Sequence, residues 1–247
     1  MTSVRILFLG AGDAFSAGGR HQAGCLVTGD GASILLDCGA TTLASLKRES
    51  ISAGSIDAIF ISHLHGDHFS GLPFLFLEYT YAEPRRRPLR ITGPPGTANR
   101  VHELYGVMYR DAGSRPLPFE VDFVELRPAE RVRAGPALVD AFRVPHQPAE
   151  LSLGFEVMLS GRRIVYSGDT GWTEDLISRS KGTDLVICEC SFFETKADFH
   201  IDYPRIAENR HRFGTKRLIL THLGTEVLAH RDQIEIELAY DGLRIDL

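Results

Sequence analysis

The stretch "SHLHGDH" at residues 62–68 places three histidines and an aspartate within seven positions. It follows the apolar run "IDAIFI", which reads as a buried strand. The strand therefore delivers the four polar side chains at its tip, where rigid scaffolds present functional groups. His63 and His65, two apart in an extended segment, point the same way and can reach one metal. A turn at Gly66 then reverses the chain, so that Asp67 and His68 can face a second metal at the start of the next helix.

Other strand-like runs end in the same kind of residue: "ILLD" at Asp37, "FRVPH" at His146, "IVYSGD" at Asp169 and "LILTH" at His222. A lone histidine at a strand end is ordinarily a hydrogen-bonded structural residue. Five such ends, with four candidate ligands in one loop, point to metal instead. Imidazole and carboxylate suit borderline ions such as zinc. Two metals about 3.5–4 Å apart can clamp the attacking and leaving oxygens of a displacement. Such a pair needs six or seven ligand groups, and His63, His65, Asp67, His68, His146, Asp169 and His222 supply them without surplus.

The chain of 247 residues carries a net charge of -5, with 43% hydrophobic and 24% charged residues. This is the composition of an ordinary soluble globular protein. It argues against a general nucleic-acid-coating surface. No apolar stretch approaches the roughly 20 residues of a membrane span, and the N-terminal apolar run is too short for a signal-peptide core. Cys25, Cys38, Cys188 and Cys190 lack C-x-x-C spacing and read as reduced buried thiols of a cytoplasmic protein.

Short strand signals recur along the whole length: "VRILFLG", "GCLVTG", "SILLDCG", "LRITG", "FEVDFVEL", "ALVDAFRV", "LGFEVML", "RIVYSGD", "DLVICEC" and "RLILTH". Helices are expected at "TTLASLKRES", at "TANRVHELYGVMYRD" with Thr97 as N-cap, and at "TEDLISRSK". A further helix is expected at "IDYPRIAENRHRFG", ending at a C-cap Gly214. The run "FLFLEYTYA" at 74–82 reads as a buried helix, part of which could serve a dimer surface. The mixture suggests packed sheets with helices outside, or a single sheet covered on both faces. "GAGDAF" fails as a dinucleotide fingerprint because position 15 is Phe, and "GPPGT" is no P-loop. "EPRRRPLR" at 83–90 reads as a solvated loop, with a basic lip for phosphate as the minority reading.

"HLHGDH", followed in order by His146 in "VPHQ", Asp169 in "SGDTG" and His222 in "LTHLG", resembles the metallo-β-lactamase superfamily over nearly the whole chain. The resemblance implies one α/β (α+β) domain over 1–247, a four-layer αββα sandwich with the metal site at one edge. By position, His63, His65 and His146 would hold one metal, and Asp67, His68 and His222 the other. Asp169 would bridge them, and Asp37 would support a ligand imidazole. His65 stands where the di-iron oxygen-reducing branch has Glu. That favours two Zn2+, with Mn2+ or Fe2+ as the other ions such a site accepts.

"GRHQAGCLV", "SGDTGWTEDL" and "FHIDYPRIAENRHRFGTKRLILTHLG" are most similar to the ribonuclease Z-like branch. There His200 matches a histidine that aids catalysis, with Glu189 or Glu194 as its acidic partner. The branch has His-Ser-Thr or His-Leu-Thr where this chain has His-Ile-Asp. Arg20 and His21 fall in a segment resembling a substrate loop. Bacterial ribonuclease Z carries a basic, glycine-rich arm before the bridging aspartate, and here only 22 residues separate His146 from Asp169. The resemblance thus implies a dinuclear hydrolase of a small or cyclic phosphodiester, with Asp67 orienting the bridging hydroxide and His200 assisting the leaving oxygen. A nucleic-acid partner is less favoured, and a homodimer is expected. The alternatives are tRNA 3′ processing, a lactone or thioester hydrolase of the same fold, and a non-catalytic metal-binding protein.

Overall fold

Strand β1 (Arg5–Gly10) shows in four residues how the molecule is layered. Ile6 and Phe8 point into an apolar layer between two sheets, and Leu7 and Leu9 into one between a sheet and its helices. This is the period-two alternation of a strand covered on both faces. The structure, a computed structural model, describes residues 3–247.

The remaining strands are β2 (Gly24–Gly29), β3 (Ala32–Leu36), β4 (Ala58–Phe60), β5 (Leu89–Gly93), β6 (Val121–Glu125), β7 (Arg131–Ala134), β8 (Ala137–Val144), β9 (Ser152–Leu159), β10 (Arg162–Tyr166), β11 (Leu185–Glu189), β12 (Leu218–Thr221), β13 (Glu237–Leu238) and β14 (Arg244–Asp246). They form two seven-stranded mixed sheets, ordered β14-β1-β2-β3-β4-β5-β6 and β13-β12-β11-β10-β9-β8-β7. The helices are α1 (Thr42–Arg48), α2 (Gly66–Phe69), α3 (Leu72–Leu77), α4 (Thr97–Met108), α5 (Arg110–Gly113), α6 (Glu174–Ser180), α7 (Tyr203–Asn209) and α8 (Thr225–Ala229).

The layer between the sheets includes Val27, Ile34, Phe60, Val139, Phe155, Ile164 and Ile187. Leu46, Leu75, Phe76 and Val101 cover the first sheet from outside, and Leu176, Ile177, Ile206 and Val227 the second. This is the expected αββα sandwich. Among the described residues, no helix is long and apolar enough to cross a membrane.

Strand direction gathers the functional residues. β3 and β4 run parallel, as do β10, β11 and β12, while β8 and β10 both run antiparallel to β9. The loops bearing Asp37 and His63, and those bearing His146, Asp169 and His222, therefore leave the C-terminal ends of like-directed strands, and Glu189 closes β11.

Several expected boundaries differ. Gly96, in the left-handed region, caps α4, while Thr97 is its first residue and bonds the Pro94 carbonyl with its hydroxyl. The segment to Asp111 breaks at Tyr109 into α4 and α5. Helix α7 stops at Asn209, whose amide bonds the Arg205 carbonyl, and a 3-10 turn follows. Gly214 instead packs on Lys181. The 74–82 run divides between α3 and a π-helical turn over Glu78–Ala82, burying Tyr79 and exposing Tyr81.

Arg85 is buried and donates to the Ile56, Arg87 and Pro88 carbonyls, and Arg87 pairs with Asp57. Those two arginines are structural rather than parts of a lip. The four cysteines are free and buried.

Candidate metal centre

Two sets of ligand atoms that share Asp169 converge at the strand ends, beside a third made of Glu189, His200 and His222. His63, His65, His146 and Asp169 form one, and Asp67, His68, Asp169 and His222 the other, with all atoms of each set within 4.8 Å of one another. In the first, His65 Nδ1 lies 3.0 Å from both His63 Nε2 and His146 Nε2. Asp169 Oδ2 lies 3.8 and 3.9 Å from those two Nε2 atoms. In the second, Asp169 Oδ2 lies 3.3 Å from His68 Nε2 and 3.2 Å from His222 Nε2. Asp67 Oδ2 lies 3.1 and 3.3 Å from the same two nitrogens. A tetrahedral zinc with bonds of about 2.0–2.1 Å has ligand–ligand edges of roughly 3.3–3.4 Å, so these spacings bracket what such an ion requires. One oxygen, Asp169 Oδ2, belongs to both sets.

The partners of the other ring nitrogens set the tautomers. Ser62 Oγ donates to Asp37 Oδ2 at 2.9 Å and so accepts from His63 Nδ1 at 3.0 Å. His68 Nδ1 donates to Asp37 Oδ2 at 2.8 Å, His146 Nδ1 to the Phe199 carbonyl at 2.8 Å, and His222 Nδ1 to Ser191 Oγ at 2.9 Å. Each of these four rings thereby aims its Nε2 inward. His68 Nε2 is buried and makes no hydrogen bond. Inward-facing ring nitrogens beside two carboxylates are a donor set that could hold a divalent cation.

The field there favours positive charge. Burial alone would lower the His68 and His222 pKa values. The Asp169 carboxylate, with Asp37 and Asp67 at His68 and Asp67 at His222, outweighs it and raises His68 well above its usual value and His222 to about 9. Asp67 and Asp169 are held well below the carboxylate range, against burial, by the facing imidazoles. Burial lowers His63, His65 and His146. Asp37 and His222 adopt φ of +61° and +55°. Non-glycine residues in that left-handed conformation are held there by the surrounding fold.

Asp37, fully buried, also accepts from the Ser62 N–H at 2.7 Å and the Tyr166 hydroxyl at 2.6 Å. His200 lies beside the cluster, its ring 4.9 Å from His146 and 5.6 Å from His222. Its Nδ1 donates to Glu189 Oε1 at 2.7 Å. Burial lowers the His200 pKa, but the bond to Glu189 and its charge prevail and raise it. Glu194 is instead placed 3.4 Å from His230, so the acidic partner is Glu189. Glu189 also accepts from the Thr170 N–H at 2.7 Å and the Ser191 hydroxyl at 2.8 Å.

His21 bonds Ser45 through Nδ1 and Asp241 through its N–H, while Arg20 Nε is buried without a partner. Ser62, Tyr166, Ser191 and the Phe199 carbonyl escaped sequence reasoning. Hydroxyls and carbonyls carry no distinctive spacing, although the "CECS" context of Ser191 placed it beside Glu189.

Residues 4–239 match the family model described as Anti-Pycsar protein Apyc1. The ribonuclease Z of Methanosarcina acetivorans is 27% identical over 284 residues, 94% of this chain and 90% of that protein. The short form of human tRNase Z superposes with a TM-score of 0.78 at 27% identity, over 98% of both chains. The metallo-β-lactamase fold protein YhfI of Bacillus subtilis reaches 0.81 at 20% identity over 100% of both. The chain therefore belongs to the family of the Anti-Pycsar protein Apyc1, in the ribonuclease Z-like branch of the metallo-β-lactamase superfamily.

Proposed function

We propose that this metal-dependent hydrolase is a dinuclear phosphodiesterase acting on a small or cyclic phosphodiester. The observation that carries the reading is the Glu189–His200 pair set against the rings of His146 and His222. It sets a protonatable imidazole next to the ligand cluster, which suits proton donation to a leaving oxygen. His63, His65 and His146 would hold one ion, Asp67, His68 and His222 the second, and Asp169 both. Two bound zinc ions would supply Lewis-acid stabilisation of a phosphoryl group and a water of lowered pKa.

The chain's own residues do the rest. Asp67 orients the attacking water by accepting its hydrogen. His200, held through Nδ1 by Glu189, presents its other nitrogen and passes a proton to the ester oxygen as the P–O bond breaks. The pair Asp37–Ser62 keeps His63 and His68 in the tautomers that leave Nε2 free.

What lies between His146 and Asp169 bears on the size of the substrate. β9 and β10 form a hairpin through the left-handed Ser160–Gly161 turn, without an arm that could grip a folded RNA. That supports a small diester. Processing of tRNA is the second reading, favoured by 27% identity both to the ribonuclease Z of Methanosarcina acetivorans and to the short form of human tRNase Z.

Hydrolysis of bis(p-nitrophenyl) phosphate by zinc- or manganese-loaded protein, with a chelated control, tests the proposal. Cyclic nucleotides, cyclic ribose phosphates and a precursor tRNA extend it. Metal-dependent turnover, reduced about 10²–10⁴-fold by His200→Ala at unchanged metal content, is expected. Cleavage of the precursor tRNA in preference to every small diester would move the reading to RNA. Inactivity towards all diesters, with hydrolysis of a lactone or thioester, would refute it.

A further inference from the structure

His200 and the carbonyl that orients His146 both belong to the irregular segment 192–202. The segment closes at its base, where Tyr203 N–H bonds the Phe192 carbonyl at 2.9 Å and Phe192 pairs with Asp202. Between these ends no sheet or helix ladder holds it, so its backbone N–H groups need partners from elsewhere.

Glu226, on α8, supplies them. Its Oε2 accepts the N–H groups of Phe193, Glu194 and Thr195 at 3.1, 2.8 and 2.9 Å, and its Oε1 accepts the Thr195 hydroxyl. Three successive N–H groups around one oxygen form an anion nest. The Thr195 hydroxyl and the three N–H groups hold the Glu226 carboxyl down to about 2. Alongside, Phe193 stacks on His230 with ring centres 4.2 Å apart. Further along, Lys196 pairs with Asp202, and Asp198 lies directly on Gly171. Helix α8 begins three residues after His222, so a single stretch carries both that ligand and this clamp.

We propose that Glu226 is a positioning residue: by gathering the N–H groups of residues 193–195 it fixes the segment that presents His200 to the metal centre. The inference rests on the phosphodiesterase reading for its kinetic test but not for its structural one. Glu226→Ala removes every acceptor. Glu226→Gln keeps an oxygen for the N–H groups and an amide that the Thr195 hydroxyl can accept from, so it rescues.

The test joins kinetics on bis(p-nitrophenyl) phosphate with amide hydrogen exchange across residues 192–202, using metal-loaded full-length protein. Glu226→Ala should lower kcat by about 10- to 100-fold with KM and metal content held, and Glu226→Gln should restore most of it. Placed on His200→Ala, Glu226→Ala should change kcat by no more than about twofold, the tolerance expected where one effect acts through the other. Amides of the segment should exchange faster in Glu226→Ala.

Unchanged kcat in Glu226→Ala, or a full multiplicative loss in the double variant, would overturn the proposal. If Glu226→Ala does not fold, Thr195→Val, which removes only the hydroxyl contact, should give a smaller loss of the same kind, and an unchanged kcat there would count against it. If the wild type hydrolyses no diester, the functional reading fails on its own, and unchanged exchange in the variant would overturn the clamp independently.

Discussion

Replacing Gly171 with alanine would put a Cβ 1.7 Å from the Asp198 carbonyl oxygen and 2.8 Å from its carbon. Both neighbours are backbone, so no side chain can rotate away, and the Pro145 carbonyl, 3.3 Å from the same point, blocks retreat on the other side. Its φ is not in the left-handed region, so space alone demands glycine here. Opening the oxygen contact to the 3.0 Å below which real Cβ contacts essentially never fall needs a displacement of about 1.3 Å. That displacement falls on the residue next to Phe199, whose carbonyl holds His146, and two before His200. A misplacement of about 1 Å at a reacting group costs on the order of 10²-fold, or about 2.7 kcal/mol of barrier. Overpacking should also remove about 1–3 kcal/mol of stability. The assay is turnover of bis(p-nitrophenyl) phosphate beside metal content by elemental analysis and a melting curve. Wild-type turnover by Gly171→Ala at full metal content would refute the claim that Gly171 seats the His200 segment.

Asp37→Ala should weaken metal binding by about 10–100-fold, because His68, Ser62 and Tyr166 lose their common acceptor; an unchanged affinity by chelator competition would count against that role. Metal removal should lower the melting temperature: at a thousand times the dissociation constant, binding stabilises by about 4 kcal/mol, or roughly 8–16 °C for a chain of this size. An unaltered transition on chelation would contradict the site. Phe155→Ala empties a fully buried position that meets the Phe60 ring at 5.5 Å between the sheets and should cost about 3–5 kcal/mol; a chemical denaturation midpoint near that of the wild type would show the two sheets to be packed otherwise.

The strands and the ligand candidates were legible in the sequence because both are short-range properties, whereas the αββα class came from the resemblance carried by the ordered motifs, the strand pattern alone leaving a single covered sheet open. Apolar runs covered on both faces read as continuous strands, and a strand ending in His or Asp announces itself by residue type and position. His63, His65, Asp67 and His68 share one loop, so their spacing was visible without a fold. Helix ends were less legible, since Gly96 in place of Thr97 and Asn209 in place of Gly214 were settled by backbone conformation and local side-chain bonds. Tertiary structure alone chose Glu189 over Glu194 as the partner of His200, set the Phe199 carbonyl on His146, laid Asp198 on Gly171 and brought Glu226 to residues 193–195. Apart from the Glu189–His200 pair, where two nearby carboxylates competed for one ring, these contacts join residues roughly 27 to 53 apart in the chain. They depend on backbone groups that every residue carries, so no residue type marks them; they exist only once parallel strands bring their ends to a common edge.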